Sequence, residues 1–401
     1  MKQIILIILT FFIIKPLSAA IVEDEVTGLP LSKASIFDKK GRIIGMCSDN
    51  GVLPYLNAAD YPISISYLGY ESATISKPGV EKIRLKPLSI ELPELYVDSK
   101  NSQVLYMSGY VREYSTMVTN EDTVFLFREK NVDFMVPTKK VKKFNGWSLP
   151  RILFSKSYYH FTNNDGLDSV SDYYPNHFSW SDWIGIIPST QLPQKLKYKE
   201  LASDTVYAKY GISSIWQKND ESVSLNLNVL AAEDNRKWVP GMNHFLNNGV
   251  DFTLFNLRYE FTDVMGDEIF PDNIARISYN IQANGNNRFI NRLGNKVKPV
   301  YMDTYAEIYI TDREYISISE AKKIEKKLAE NFELEKMENV PALTASIQDL
   351  VARVNDTDNE MVRLHREADK RLAGRELKGE KYKYGVFPFI SRAIKKLGFQ
   401  F

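Results

Sequence analysis

Four segments in the second half of the chain alternate apolar and polar residues with period 2. Val223, Leu225, Leu227 and Val229 alternate with Ser224, Asn226 and Asn228. Phe255, Leu257, Tyr259 and Phe261 form a second such set. Ile277, Tyr279 and Ile281 alternate with Ser278, Asn280 and Gln282. Met302, Thr304, Ala306, Ile308 and Ile310 alternate with Tyr301, Asp303, Tyr305, Glu307 and Tyr309. Successive side chains of a strand point to opposite faces, so each segment predicts a long strand with one apolar face. Long antiparallel strands of this kind make an open sheet, whose apolar face a helix or second layer must cover. Asn284-Gly285 predicts a hairpin turn after the Ile277 strand.

Residues 21–97 read as a separate module of short strands. Ile36 and Phe37 lie in an apolar strand after a Thr27-Gly28-Leu29-Pro30 turn. Asp49-Asn50-Gly51 supplies residues that tolerate positive φ. Ile63, Ile65 and Tyr67 alternate with Ser64 and Ser66, Leu68-Gly69-Tyr70 turns, and Ile83 and Leu85 form a last strand. Short strands at close, regular spacing predict a β-sandwich.

This order of motifs resembles the carboxypeptidase-like regulatory domain, a transthyretin-like sandwich of Bacteroidetes envelope proteins. The resemblance rests on Thr27-Gly28-Leu29-Pro30-Leu31, Ala34-Ser35-Ile36, Asp49-Asn50-Gly51, Ser66-Tyr67-Leu68-Gly69-Tyr70 and Leu85-Lys86-Pro87. It departs from the family in a hairpin one residue short and in Pro54, where a strand residue is usual. The resemblance implies an accessory β-sandwich without catalytic residues.

The first twenty residues predict export. Lys2 precedes an apolar run from Ile4 to Ile14, and Ser18-Ala19-Ala20 supplies small residues for cleavage after Ala20 or Ala19. The run is too short to span a bilayer as a helix and reads as a secretory signal, with a buried N-terminal helix as the competing account. No Cys follows it, so no lipoprotein anchor is expected. The net charge of +1 falls to −1 once Lys2 and Lys15 are removed, which gives nucleic acid no electrostatic hold. The single cysteine, Cys47, cannot form an intramolecular disulfide and is expected to be a buried thiol.

The segment 144–187 mixes aromatics with short polar residues. Asp172, Tyr173, Tyr174, Asn176, Trp180 and Trp183 are the candidate ligand-binding residues. Aromatic faces give contact area at small entropic cost, and neighbouring amides and carboxylates orient a glycan. The competing account is a long loop whose aromatics plug the sheet. Lys139-Lys140-Val141-Lys142-Lys143 reads as a solvated strand edge or, alternatively, a phosphate or lipid-headgroup contact.

No catalytic or metal motif is present in the sequence. His160, His177, His244 and His365 have no metal-ligand spacing, and there is no nucleophile elbow, phosphate loop or dinucleotide fingerprint. No catalytic residue, metal or cofactor is therefore assigned. Asp165 and Asp168 could be the paired acids of a glycosidase, but Asp and Asn so close together more often make turns.

After residue 316 the pattern becomes helical. Ser317-Ile318-Ser319-Glu320 is a capping box, followed by Ala321, Ile324 and Leu328 on one face. Leu343, Ile347, Leu350, Val351 and Val354 line a second stripe. Thr357-Asp358-Asn359-Glu360 is a second capping box, and the tail from Val386 to Leu397 is a basic amphipathic helix. That tail either docks on the protein or makes a peripheral membrane contact.

The expected architecture is mainly β with a helical C-terminus. A signal peptide (1–20) precedes a seven-stranded-type β-sandwich (21–97). A curved antiparallel sheet or half-barrel follows (98–316), packed with a helical region (317–401). The half-barrel is similar at fold level to periplasmic lipoprotein-carrier proteins. The expected function is that of a non-catalytic envelope protein in the periplasm or at the outer membrane, binding a glycan, lipid or protein ligand. The alternative is a hydrolase of glycan or peptide whose site is dispersed in the sequence.

Overall fold

A computed structural model describes residues 20–88, 95–97, 103–118, 123–139, 144–162, 168–171, 179–198, 202–219, 222–285, 300–326, 334–337 and 340–356. The protein is mainly β, with its longer helices late in the chain.

The N-terminal module contains β1 (Ile21–Asp24), β2 (Ser35–Phe37), β3 (Ile43–Met46), β4 (Ile63–Ser66), β5 (Ala73–Ile75) and β6 (Lys82–Leu85). β1 and β6 pair in parallel, and the others form an antiparallel sheet in the order β3-β2-β4-β5. Both sheets bury one core that includes Val22, Ile36, Cys47, Ile63, Ile65, Ile83 and Leu85. Burial pushes the Cys47 thiol up to about 12, so it stays protonated and inert. Gly51 has φ +71°, and a Cβ there would lie 2.5 Å from the Val22 carbonyl oxygen. Only glycine satisfies both the turn and this contact.

The large sheet is built from β7 (Tyr96–Val97), β8 (Val104–Val118), β9 (Thr123–Pro137), β10 (Trp147–Phe161) and β11 (Asp168–Ser171), and then, across β12 (Thr190–Gln191), from β13 (Ala202–Ala208), β14 (Gly211–Lys218) and β15 (Ser222–Asn228). β16 (Val250–Thr262), β17 (Glu268–Ile269), β18 (Ile274–Gly285) and β19 (Val300–Ile316) follow. β12 and β17 pair with each other, apart from this sheet. The sheet order is β11-β10-β9-β8-β19-β18-β16-β15-β14-β13. Two antiparallel meanders therefore meet where the last strand, β19, returns beside β8. β7 runs parallel to the end of β19 that β18 does not reach.

The apolar face is covered by residues 179–198 and the helix Met242–Asn247. Trp180, Ile184, Ile186, Leu192, Leu196, Met242 and Phe245 pack on the inward residues of the strands, among them Phe255, Leu257, Ile277 and Ile308. The opposite face is also covered. Phe37 and Ile43 of the module, with Ile347 and Leu350 of the helix Ala345–Asp356, pack on Tyr114, Phe127, Tyr158 and Tyr305. Ser317 and Glu320 form the expected capping box, with Ser317 N–H donating to Glu320 Oε2 at 3.0 Å and Glu320 N–H to Ser317 Oγ at 3.2 Å.

Two sequence expectations are corrected. Asn284-Gly285 does not turn a hairpin: Asn284 pairs with Tyr301 and Gly285 with Val300, so both strands run on and the connection spans 286–299. The inward positions Ile281 and Ala283 remain fully buried up to this point, which holds the pair in the sheet. The segment 144–187 is not one long loop, because residues 147–161 form β10. The second capping box and the amphipathic tail lie outside the described residues.

Candidate ligand-binding cleft

Strand register aligns the polar face into rows. Asn228, Asn256, Asn280, Tyr305, Tyr114, Phe127 and Tyr158 are successive cross-strand partners from β15 to β10. The next row reads Asn226, Arg258, Ser278, Glu307, Arg112, Glu129 and Lys156. Side chains directly opposite on one face are the contact units of a sheet. One half of this face is thus aromatic beside alternating charge, and the other half is amide-rich.

The aromatic half is closed. The Phe37 ring meets Tyr114 and Tyr305 edge-on at 5.5 and 5.9 Å, and Tyr114 stacks on Tyr305 at 6.0 Å. The adjoining charges are internally satisfied: Tyr305 and Tyr309 donate to Glu307, at 2.5 and 2.8 Å, and Tyr110 donates to Glu129.

The turn Tyr67-Leu68-Gly69-Tyr70 fixes the module to the sheet. The Arg258 guanidinium lies 4.3 Å from the Tyr67 ring centre and donates to the Tyr67 hydroxyl at 2.6 Å. Leu68 is buried against Tyr110 and Tyr309. Gly69, with φ +85°, lies against the Glu260–Arg276 ion pair, and a Cβ there would come within 3.0 Å of both Glu260 oxygens. Ser35 Oγ donates to Asn280 Oδ1 at 2.9 Å.

Beside this turn the module and sheet leave a small cleft, partly open to solvent. Its module wall carries Ser32, Lys33, Asp49, Ser66 and Tyr67, and its sheet wall carries Ser213, Asn226, Asn228, Asn256, Arg258, Ser278 and Asn280. Lys33 and Asp49 pair across the rim at 3.2 Å. Burial raises the Tyr67 phenol, so it remains a neutral hydrogen-bonding group. The wall offers amides, hydroxyls and one guanidinium, which suits ligand orientation; it contains no paired acids or nucleophile–base pair.

The sequence-predicted site residues lie elsewhere. Asp172, Tyr173, Tyr174 and Asn176 fall outside the described residues. Trp180 is fully buried, with Phe245 at 5.0 Å and Phe252 at 5.3 Å, so neither face of its ring meets solvent. Trp183 is half-buried, stacked on His244 at 5.8 Å and edge-on to Phe245 at 4.9 Å.

Between these two tryptophans, Ser181 and Asp182 belong to a largely buried polar island. Lys130, buried on β9, donates to Ser179 Oγ at 2.7 Å, Ser181 Oγ at 2.8 Å and Asp182 Oδ1 at 2.5 Å. Glu113 Oε2 accepts from Ser179 Oγ, the Ser181 backbone N–H and the Tyr279 hydroxyl, at 2.7, 3.0 and 3.0 Å. Burial works to raise the Glu113 carboxyl, but Lys130, Arg128 and the two serines outweigh it and hold it below the usual range. Burial lowers Lys130, while Asp182 and Glu113 oppose that effect. Two carboxylates do converge beneath the 158–183 aromatics, but an ammonium sits between them and apolar side chains close around them. The island anchors the covering segment and presents no exposed reacting group.

The cleft residues were visible in the sequence only as the polar half of an alternation. Asn recurs at the outward positions of β15, β16 and β18, where a purely solvated face would carry Lys, Glu or Thr. That recurrence is the one signal in the sequence that marks them.

No family model and no curated protein matches the chain. Solved structures give distant neighbours. Lipovitellin aligns at 12% identity over 68% of this chain and 36% of its own, with a TM-score of 0.23. A candidate AttH protein of Nitrosomonas europaea aligns at 9% identity over 56% of this chain and 58% of its own, with a TM-score of 0.14. The translocator domain of the autotransporter NalP from Neisseria meningitidis aligns at 8% identity over 53% and 90%, with a TM-score of 0.12. The chain spans about a third of the lipovitellin chain that it matches. At these scores none of the neighbours bears on function.

Proposed function

We propose that the protein is a non-catalytic, exported cell-envelope protein that binds a ligand in the cleft between its N-terminal module and its large sheet. The observation that carries this reading is the cleft wall. Amide, hydroxyl and aromatic groups from the N-terminal module and the large sheet converge there, while the apolar face of the sheet is filled. In this reading the module belongs to the carboxypeptidase-like regulatory type. It serves as a fixed wall of the site, held by Tyr67, Leu68 and Gly69, and not as a free spacer. Export rests on the apolar run and small residues of 1–20.

A screen of envelope glycans and lipids against the full chain tests the site. Asn228→Trp places bulk at the half-exposed rim and is expected to abolish binding, at a cost of about 1 kcal/mol in stability from the lost bond between Leu230 N–H and Asn228 Oδ1. Ligand binding that persists undiminished in this variant refutes the cleft as the site. Export is tested by mass spectrometry of protein from the native envelope, which should begin at Ile21 or Ala20; an intact Met1 in cytosol overturns it.

A further inference from the structure

We infer that β13 pairs edge to edge with β13 of a second copy of this chain, antiparallel about Val206, and so joins the two large sheets into one. The first observation is an unguarded edge. β13 ends its sheet, and among the described residues nothing pairs with its outer side. Alternate residues of such a strand turn their N–H and C=O groups outward, a template for another extended backbone. The end strands β3, β5 and β11 are blunted by their length, at four, three and four residues, whereas β13 has seven. β13 holds no Pro and no Lys, and the irregularity in its pairing falls on β14, which carries the extra residue Ser213. Its one charge, Asp204, is neutralised by Lys195 at 2.8 Å.

The second observation is exposed apolar surface on both faces of this one strand. Val206 is 39% exposed and Tyr207 is 74% exposed. Neighbours along a strand point to opposite faces. Val206 shares the face of Ala202, which packs on the apolar core, and Tyr207 shares that of Thr205, whose partner Ile215 lines the cleft. A glycan or lipid surface lying on either face would cover only one of the two. A strand added in the plane of the sheet covers both. Such a partner must bring an unpaired end strand of its own, and among the described residues the longest that this chain carries is β13. A two-fold axis normal to the sheet keeps every residue on its own face, so residues brought opposite each other share parity. With the axis at Val206, that residue meets its own copy, Thr205 meets the partner's Tyr207 and Asp204 meets the partner's Ala208. Aromatic side chains opposite β-branched ones are favourable pairs, and no like charges face each other in this register.

Sedimentation velocity of the full chain over a concentration series tests this. A single strand pair lies at the small end of interfaces, below about 1,200 Å², so a dimer that dissociates in the micromolar range is expected. Val206→Lys and Val206→Asp each set like charges face to face at the axis, and each is expected to raise the dissociation constant at least about fivefold. Mixing the two variants sets Lys against Asp and is expected to restore the dimer, which a folding defect in either variant would not do. A chain that stays monomeric up to about 100 μM overturns the pairing. Dimerisation that both variants leave unchanged, or that mixing fails to restore, places the contact elsewhere and overturns it as well. A monomer that co-sediments with phosphatidylglycerol vesicles, and no longer does so as Tyr207→Ser, overturns it in favour of a lipid surface. None of these outcomes bears on the cleft.

Discussion

Replacing Lys130 by Met should destabilise the protein far more than an exposed lysine replacement would. The ammonium is fully buried, and its three hydrogens go to Ser179, Ser181 and Asp182. Methionine fills a similar volume, so little of the effect comes from a cavity. What remains is the loss of charge-assisted bonds to Asp182 and the two serines, and of the nearer cation beside buried Glu113, which keeps Arg128. Breaking a buried pair from one side costs about 3–5 kcal/mol. At about 2 °C per kcal/mol for a large domain, the melting temperature should fall by roughly 6–10 °C. Urea unfolding followed by tryptophan fluorescence reads the free energy, and calorimetry reads the temperature. The double variant Lys130→Met/Asp182→Leu removes both charges, so it should cost clearly less than the sum of the two single variants. Loss of less than about 1 kcal/mol in Lys130→Met, with additive behaviour in the double variant, would show that the island is hydrated and not sealed.

Three further outcomes are expected. Trp180→Ala should cost about 3–5 kcal/mol by urea unfolding, because the ring is wholly buried among Phe245, Phe252 and Phe255; Trp183→Ala should cost about 1–2 kcal/mol, since only part of its area leaves water, and equal costs contradict this placement. Burial raises the Asp303 carboxyl from 3.8 to about 6, with Gln282 opposing, and its Oδ1 has no hydrogen-bond partner. The folded state therefore binds that proton more tightly than the unfolded state, and stability should fall as pH rises from about 4 to 6. Asp303→Asn should flatten that slope and add roughly 2–3 kcal/mol at pH 7; an unchanged slope refutes the assignment. Gly69→Val forces a side chain onto Glu260 and Arg276 at positive φ. It should release the module from the sheet, read as new protease cleavage between the module and β8; a cleavage pattern like the wild type speaks against the docking role.

The sheet was legible in the second half of the chain because one face there is apolar and the other polar. β15, β16, β18 and β19 keep a two-residue period over these segments, and their inward residues are all buried. β8 to β10 were hidden by their position in the centre of three layers. Tyr114, Phe127 and Tyr158 face the module while Val111, Leu126 and Tyr159 face the core, so apolar residues fall on both parities and the alternation blurs. The buried charges Glu113, Arg128, Lys130 and Glu129 then read as a solvated surface, although they are among the most enclosed groups in the protein.

The cleft was illegible for a different reason. Its wall depends on register between strands and on which face of the sheet the module covers, and no local pattern in the sequence encodes either. The turn Tyr67-Leu68-Gly69-Tyr70 was readable as a turn, but Arg258 lies 191 positions from Tyr67 and Glu260 shares no motif with Gly69. The same turn also explains why the cleft sits where it does. Leu68 occupies the aromatic half of the polar face, and Gly69 lets the backbone come down onto the ion pair. The module therefore cannot move toward β15 without losing both contacts; of the amide row beyond it, Asn280 and Asn256 are buried beneath Ser35 and Met46, and Asn228 stays half-exposed. A cleft that opens only at the Asn228 end of the amide row follows from where that one turn seats.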